Sequence, residues 1–551
     1  MLYLLIVFFE ALFFIYVAYL AGRLFLKVLG VNFSTPESNI KYNIYAILCG
    51  YGVYIFLGFI IALFGIFSAI PLWLFTCIIF IFSLPTLLIH FRVLNIFLTS
   101  PGKLIVNTRK IFQDNTLLKF IIVSWLVVNS FLIFVPITSY DTLDYHLPIM
   151  LDIIKEKKLT FTPEIRQYNF LPVFGEIFYA VPMVMFGEAT EDMYHIFDYN
   201  NTTQIIDRKQ IMSRNGPFTF QVLQYSVIIL LTLLFYAFLR PRLKNKFLIP
   251  VAILFILSIF DLWREVLHSG YIDVIGFIFG IASLLIIIEN CCEDKIKWNE
   301  LMVSAFFLGI ALGVKYLALF FGFINLFCLI FLYKKQNITL KRSTIKLLKY
   351  GCVLLIVSSF FYFRNLIQFG NPVYPMFNEN HFTTVVNEFL LERTFANYLI
   401  FPFYRYSRWL EIPSETSSRL IVVGYYALLY VLGTFLAIKN KFTTVEKLLM
   451  FSTFTLSVLL FLSSHIYRFN LPLIILITPL LALFIDKFYT QLEESTSPKI
   501  YQLFKKISMG FICIGFLAVF LYGNFHYFKV RFTYIIGQYD TQEYIKNVGS
   551  Q

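Results

Sequence analysis

The chain has 551 residues, 59% of them hydrophobic and only 14% charged, which leaves too little polar surface to clothe a set of water-soluble domains. Apolar runs of about 20 residues, the length that crosses a bilayer core as a helix, recur from Leu2 to Asn524. Disorder, a collagen and a nucleic-acid-binding domain are excluded, and the net charge of +13 reports first on orientation in a membrane.

In chain order, spans are expected near 2–21, 43–65, 70–91, 120–137, 218–239, 247–263, 272–288, 301–314, 317–333, 350–363, 420–438, 448–464, 470–485 and 508–524. The fold class is therefore all-α, a polytopic helical membrane protein of about 14 transmembrane helices with two large outer loops containing interfacial helices. The first segment, Leu2 to Ala21, has no basic flank before it and is long enough to span, so it reads as a retained helix and not a cleaved signal peptide. The seven cysteines, at 49, 77, 291, 292, 328, 352 and 513, have no spacing that would ligate zinc or staple a loop, and free thiols are expected.

With the N-terminus outside, the inside connections are 22–42, 92–119, 240–246, 289–300, 334–349, 439–447 and 486–507. They hold well over half of the 45 Lys and Arg, while most of the 32 acidic residues fall on the other side, as the positive-inside rule demands. Two segments are decided by this parity. The run from Pro172 to Gly187, which contains Glu176 and Pro182, is a re-entrant or interfacial helix, and 301–333 is a hairpin of two short spans turning at Gly313–Lys315. The chain then divides into N-terminal transmembrane helices (1–137), a first large outer loop (138–217), central transmembrane helices (218–363), a second large outer loop (364–419), and C-terminal helices with a short tail (420–551).

Polar residues crowd the outer surface. After the fourth span the chain reads Ser139-Tyr140-Asp141-Thr142-Leu143-Asp144-Tyr145-His146-Leu147-Pro148. A carboxylate at the rim of an apolar bundle is partly desolvated, which raises its basicity and suits it to general-base work; the plain alternative is that Asp141 or Asp144 caps the next helix. Leu147, Met150, Leu151 and Ile154 recur at helical spacing opposite Asp152, Lys155, Glu156 and Lys158, the pattern of an amphipathic helix lying in the interface. Gln167 and Glu176 follow in the same loop, and Asp273 opens the seventh span on the same side. Lys315, Arg364 and Arg468 stand at outer helix ends, against the positive-inside trend. An anionic phosphate is the partner such cations suit, with snorkelling at helix ends as the alternative for any one of them.

Four segments together resemble the GT-C superfamily of membrane glycosyltransferases, bacterial type, which take a sugar from a polyprenyl-phosphate carrier. Asp141-Thr142-Leu143-Asp144-Tyr145-His146-Leu147-Pro148 is similar to that family's Asp-x-x-x-Tyr-His-x-Pro opening, and Gly309-Ile310-Ala311-Leu312-Gly313-Val314-Lys315 to its Gly-x-x-x-Gly-x-x-Lys hairpin. Arg364-Asn365 with Gly370-Asn371-Pro372-Val373-Tyr374-Pro375 resembles its Arg-Asn…Gly-Asn-Pro-x-Tyr-Pro run, and Tyr467-Arg468-Phe469-Asn470-Leu471-Pro472 its Arg-Tyr…Leu-Pro element. Where many members carry Asp-Glu in the first outer loop this chain has Asp141-Thr142, so a second carboxylate falls to Asp144 or Asp273.

The resemblance implies an inverting glycosyltransferase of the plasma membrane with its active site on the outer face. Asp141 would be the base; Lys315, Arg364 and Arg468 would meet the lipid phosphate; Asp144, His146, Gln167, Glu176 and Asp273 would touch sugar or acceptor, and Tyr145 would stack on the sugar or anchor the interface. The partners implied are a lipid-linked sugar donor, a glycan, lipid or protein acceptor, and membrane lipid. No cofactor and no metal ligand is predicted, although Asp141, Asp144 and Asp273 leave a divalent cation open. The competing readings are a glycan polymerase or ligase, which would depend on loop arginines without Asp141, and a lipid-linked glycan flippase, which would show repeats and charges at mid-membrane. The enzyme reading requires that Asp141, Arg364 and Arg468 converge on one cavity.

Overall fold

A computed structural model describes residues 2–31, 36–90, 116–135, 141–161, 170–196, 218–259, 270–375, 442–463, 470–519 and 525–535, with a few isolated positions besides. All regular elements among them are helical. α1 (Leu2–Val28) and α2 (Pro36–Leu63) pair antiparallel through Ala18-x-x-x-Gly22 on one and Ala46-x-x-x-Gly50 on the other. A Cβ on Gly22 would stand 1.7 Å from the Ala46 carbonyl oxygen, and one on Gly50 1.7 Å from that of Ala18. Small residues four apart let two backbones touch, which matters because lipid offers helices no hydrophobic reason to associate.

α3 (Ala69–Phe82) bends by 71° into a short helix, Leu84–His90, and α4 (Thr116–Leu132) follows. A π-helical turn at Thr142–His146 leads into α5 (Leu147–Glu156), α6 (Phe174–Phe186) and α7 (Glu191–Ile196). The rest of the bundle is α8 (Thr219–Leu239), α9 (Leu248–Ser258), α10 (Asp273–Asn290), α11 (Trp298–Val314), α12 (Ala318–Lys335), α13 (Leu340–Phe369), α14 (Thr444–Ser463), α15 (Leu471–Ser495), α16 (Pro498–Val519) and α17 (Phe525–Ile535).

The chain is a helical membrane protein. Among the described residues eight helices are long and apolar enough to cross a bilayer: α1, α2, α8, α10, α12, α13, α14 and α15; α3 with its bent continuation makes a ninth. Several of the fourteen expected spans are shorter. α9 has 11 residues and α11 has 17, and at about 1.5 Å per residue neither alone covers about 30 Å of hydrocarbon. The span expected at 420–438 lies outside the described residues, as do most of the second outer loop and the stretch 197–217 of the first.

The two runs expected at the interface are helices. α5 buries Leu147, Met150 and Leu151 of its expected stripe but leaves Ile154 half-buried, and it also buries Ile149 and Ile153, so the apolar face is broader than one stripe; Lys155 and Glu156 stay exposed. α6 is nearly all buried, Glu176 included, and packs against α2, α3, α5, α8 and α11.

α10 is the central helix, buried along its whole length except at Glu289. Mid-helix, Ser283 Oγ lies 2.8 Å from Ser304 Oγ on α11 and accepts from Asn325 Nδ2 on α12 at 2.8 Å, while Tyr350 OH on α13 lies 3.1 Å from Ser304 Oγ. Four helices are thus tied by one buried polar cluster.

At one end of the bundle Glu289 pairs with Lys41 and, at 3.4 Å, with Arg242. At that same end Lys335 Nζ donates to the Cys291 carbonyl at 2.6 Å and Asn299 Nδ2 to that of Gly30 at 3.2 Å. Asp486 accepts from the Lys244 and Asn245 amides at 2.8 and 2.7 Å, and Lys487 pairs with Glu446. Six of the seven basic connections grouped by charge therefore meet at one end; of the seventh, 92–119, only 116–119 belong to the described residues. The six described cysteines outside α16 are free thiols.

Candidate functional site

The candidate residues gather at the other end, around the π-turn, α6, the start of α10 and the ends of α11 and α13. Asp141 opens the π-turn and is half-buried. Its side chain makes no capping hydrogen bond, so the helix-cap reading does not describe it. Tyr145, four residues on, donates its hydroxyl to Asp141 Oδ2 at 3.4 Å, and its ring lies 4.1 Å from that of His146. Asp144 is half-buried.

His146 and Glu176 are brought onto each other. Both are buried, and His146 Nδ1 lies 2.7 Å from Glu176 Oε1. His146 Nε2 and Glu176 Oε2 are buried with no hydrogen-bond partner. On the far side of His146 stands Tyr271, ring to ring at 6.3 Å. The 270–272 segment is itself pinned by Gln224, whose Oε1 accepts from the Gly270 amide at 2.8 Å and whose Nε2 donates to the Tyr271 carbonyl at 2.9 Å; Tyr179 OH donates to that carbonyl at 2.8 Å. Gly270 has φ +101, and a Cβ there would lie 2.3 Å from Thr142 Cγ2, so the π-turn and this segment touch at a position only glycine fits.

Two residues after Tyr271 comes Asp273, 1% exposed, paired with Lys315. Lys315 reaches it because the chain leaves α11 there in an extended conformation. Gly313 makes the approach feasible: a Cβ would stand 2.1 Å from Phe174 Cδ2, so α6 lies directly on the last turn of α11. The neighbouring Tyr316 receives Asn365 Nδ2 on its hydroxyl at 2.6 Å, and Asn365 Nδ2 also donates to the Phe170 carbonyl at 2.9 Å.

Arg364 completes the arrangement. It is 8% exposed, donates from Nε to Asn365 Oδ1 at 2.9 Å and from Nη2 to the Phe170 carbonyl, and lies over the Phe161 ring at 4.4 Å. All of these partners are neutral, and Nη1 is buried with no partner. A guanidinium withdrawn from water without a carboxylate is costly, and an anion is the group that would offset it.

The structure thus links Asp141, Tyr145, His146 and Glu176 through direct contacts, pairs Asp273 with Lys315 and joins Arg364 through Asn365 to Tyr316, with Asp144 in the same π-turn as His146. Gln167 and Arg468 lie outside the described residues, and with them the convergence expected of Arg468. Among the described residues no three of His, Cys, Asp and Glu come together as a metal-binding set; Asp141, Asp144 and Asp273 do not assemble one. Tyr316, Phe161 and Gln224 also stand among these residues and were assigned no role from the sequence, and Asn365 entered there only as part of the Arg364-Asn365 motif. A signal for Gln224 was present: with Gln221 it is one of two glutamines, three apart, in an otherwise apolar span, and polar groups inside a span are expensive unless used. No family model matches the chain, and no curated protein or solved structure matches it either.

Proposed function

We propose that this protein is an inverting glycosyltransferase that moves a sugar from a polyprenyl-phosphate carrier to an acceptor hydroxyl at the non-cytoplasmic face of a membrane, as the resemblance to GT-C enzymes implies. The observation that carries this reading is Arg364, a buried cation held by neutral groups with its Nη1 amino group unused. It is joined through Asn365 to Tyr316, the residue after Lys315, at the end of the bundle that also bears Asp141. Phosphate matches this chemistry, since arginine offers a fork of donors to its oxygens.

In the reaction, Asp141 takes the proton from the acceptor hydroxyl as its oxygen bonds to the anomeric carbon. The bond from that carbon to the carrier phosphate breaks, and its electron pair leaves with the phosphate. Phosphate departs readily once its charge is met, so Arg364, together with Lys315, supplies electrostatic stabilisation and no proton. A base contributes about 10²–10⁴-fold. The acceptor is a glycan, a lipid or a protein hydroxyl. The assignment of sides follows the positive-inside rule, with the basic connections at the opposite end of the bundle.

The test is sugar transfer from polyprenyl-phosphate donors by the reconstituted full chain. Asp141→Asn is expected to lower kcat by about 10²–10⁴-fold with the fold retained. Undiminished transfer in a well-folded Asp141→Asn protein removes the assigned base and leaves the polymerase or ligase reading ahead.

A further inference from the structure

The contact between His146 and Glu176 does work that direct substrate binding does not describe. Both side chains are buried, and each has one polar atom satisfied by the other and one with no partner. Their mutual bond is the polar anchor for both. It joins the π-turn to α6, elements 30 residues apart in sequence.

The π-turn is the reason an anchor is needed. Leu147 N donates to Thr142 O, five residues back, and such wide turns are rare, short and frequent at functional sites. Here Asp141 precedes the turn and His146 ends it, so the backbone of the turn sets where the Asp141 carboxylate and the Tyr145 hydroxyl that donates to it stand. The other side of the turn is closed by Gly270 against Thr142 and by the Tyr271 ring.

We propose that His146 and Glu176 are the positioning couple for the Asp141 carboxylate, clamping the π-turn onto α6. His146 would be fixed through Nδ1, much as an outer partner fixes the orientation of a working histidine. The kinetic part of the test rests on the glycosyl-transfer reading; the structural part does not.

Two measurements are made on the full chain in lipid nanodiscs. The first is amide hydrogen exchange over 142–147, with α10 as the internal reference. Glu176→Ala is expected to speed exchange at 142–147 by about tenfold and leave α10 unchanged. Glu176→Gln, whose side-chain oxygen still accepts from Nδ1, is expected to exchange as the parent does. The second is transfer kinetics with a polyprenyl-phosphate sugar donor. Glu176→Ala is expected to lower kcat about 10–100-fold while KM for the donor stays within about twofold, with Glu176→Gln largely restored.

Parent-like exchange at 142–147 in Glu176→Ala overturns the proposal whatever the activity. So does faster exchange with kcat unaltered, because the clamp would then not govern Asp141. If the parent protein transfers no sugar while Glu176→Ala still loosens the π-turn, the reaction assigned above falls and the clamp stands.

Discussion

Lys315, at the break between α11 and α12, pairs with Asp273, the first residue of α10, and the two differ sharply in exposure: the side chain of Lys315 is 21% exposed and that of Asp273 1%. The asymmetry predicts unequal costs. Lys315→Met deprives a buried carboxylate of its ammonium and should cost about 3 kcal/mol. Asp273→Asn leaves a lysine that can turn its head to water and should cost about 1 kcal/mol. Chemical denaturation in detergent reads both, and equal costs would contradict the pairing as described.

Glu188 lies between α6 and α7, where its Oε1 accepts from Thr219 N and Oγ1, each at 2.7 Å, at the start of α8. Burial, with a small addition from Glu10, pushes its carboxyl up to about 7 from the ordinary 4.5. The folded state therefore holds a proton that the unfolded chain releases. The stabilisation is complete below the unfolded value and is lost as pH rises through the folded one. The melting temperature should fall between about pH 5 and 7.5, and Glu188→Gln should flatten that slope. An unchanged slope in the variant would place the titration elsewhere.

Gly50 and Gly351 should respond oppositely to alanine. At Gly50 the new methyl meets the Ala18 carbonyl at 1.7 Å, whereas at Gly351, within α13, it meets nothing within 4 Å. Gly50→Ala forces α1 from α2 and should cost about 1–3 kcal/mol or more. Gly351→Ala should add about 0.5–1 kcal/mol through helix propensity. Melting temperatures of the two purified variants decide it.

Tyr350→Phe removes one member of the Ser283, Ser304 and Asn325 cluster at the centre of the bundle. Hydrogen bonds between membrane helices average about 0.6 kcal/mol, because the unfolded chain in lipid finds other partners. The loss should be of that size, measured by unfolding in bicelles. A loss several times larger would mean that the cluster acts as a unit.

The amino-acid sequence alone determined that the chain is helical and crosses a membrane, because hydropathy is a sum over neighbours along the chain and needs no partner. It also grouped the basic connections, and their residues Lys41, Arg242, Lys335 and Lys487 meet others of that group at one end of the bundle. Motif reading drew attention to Asp141, His146, Glu176, Asp273, Lys315 and Arg364 one at a time. Only tertiary packing decided what each of them touches. His146 meets Glu176 across 30 residues, Lys315 meets Asp273 across 42, and Arg364 with Asn365 meets the Phe170 carbonyl across nearly 200. Such pairings follow from which helix backbones can approach, set here by Gly270 and Gly313. The same packing encloses α6, whose 13 residues read locally as an apolar dip and are buried by the helices around them. Span length is a local property and partner choice is not, and that is why the first could be counted along the chain and the second had to be seen.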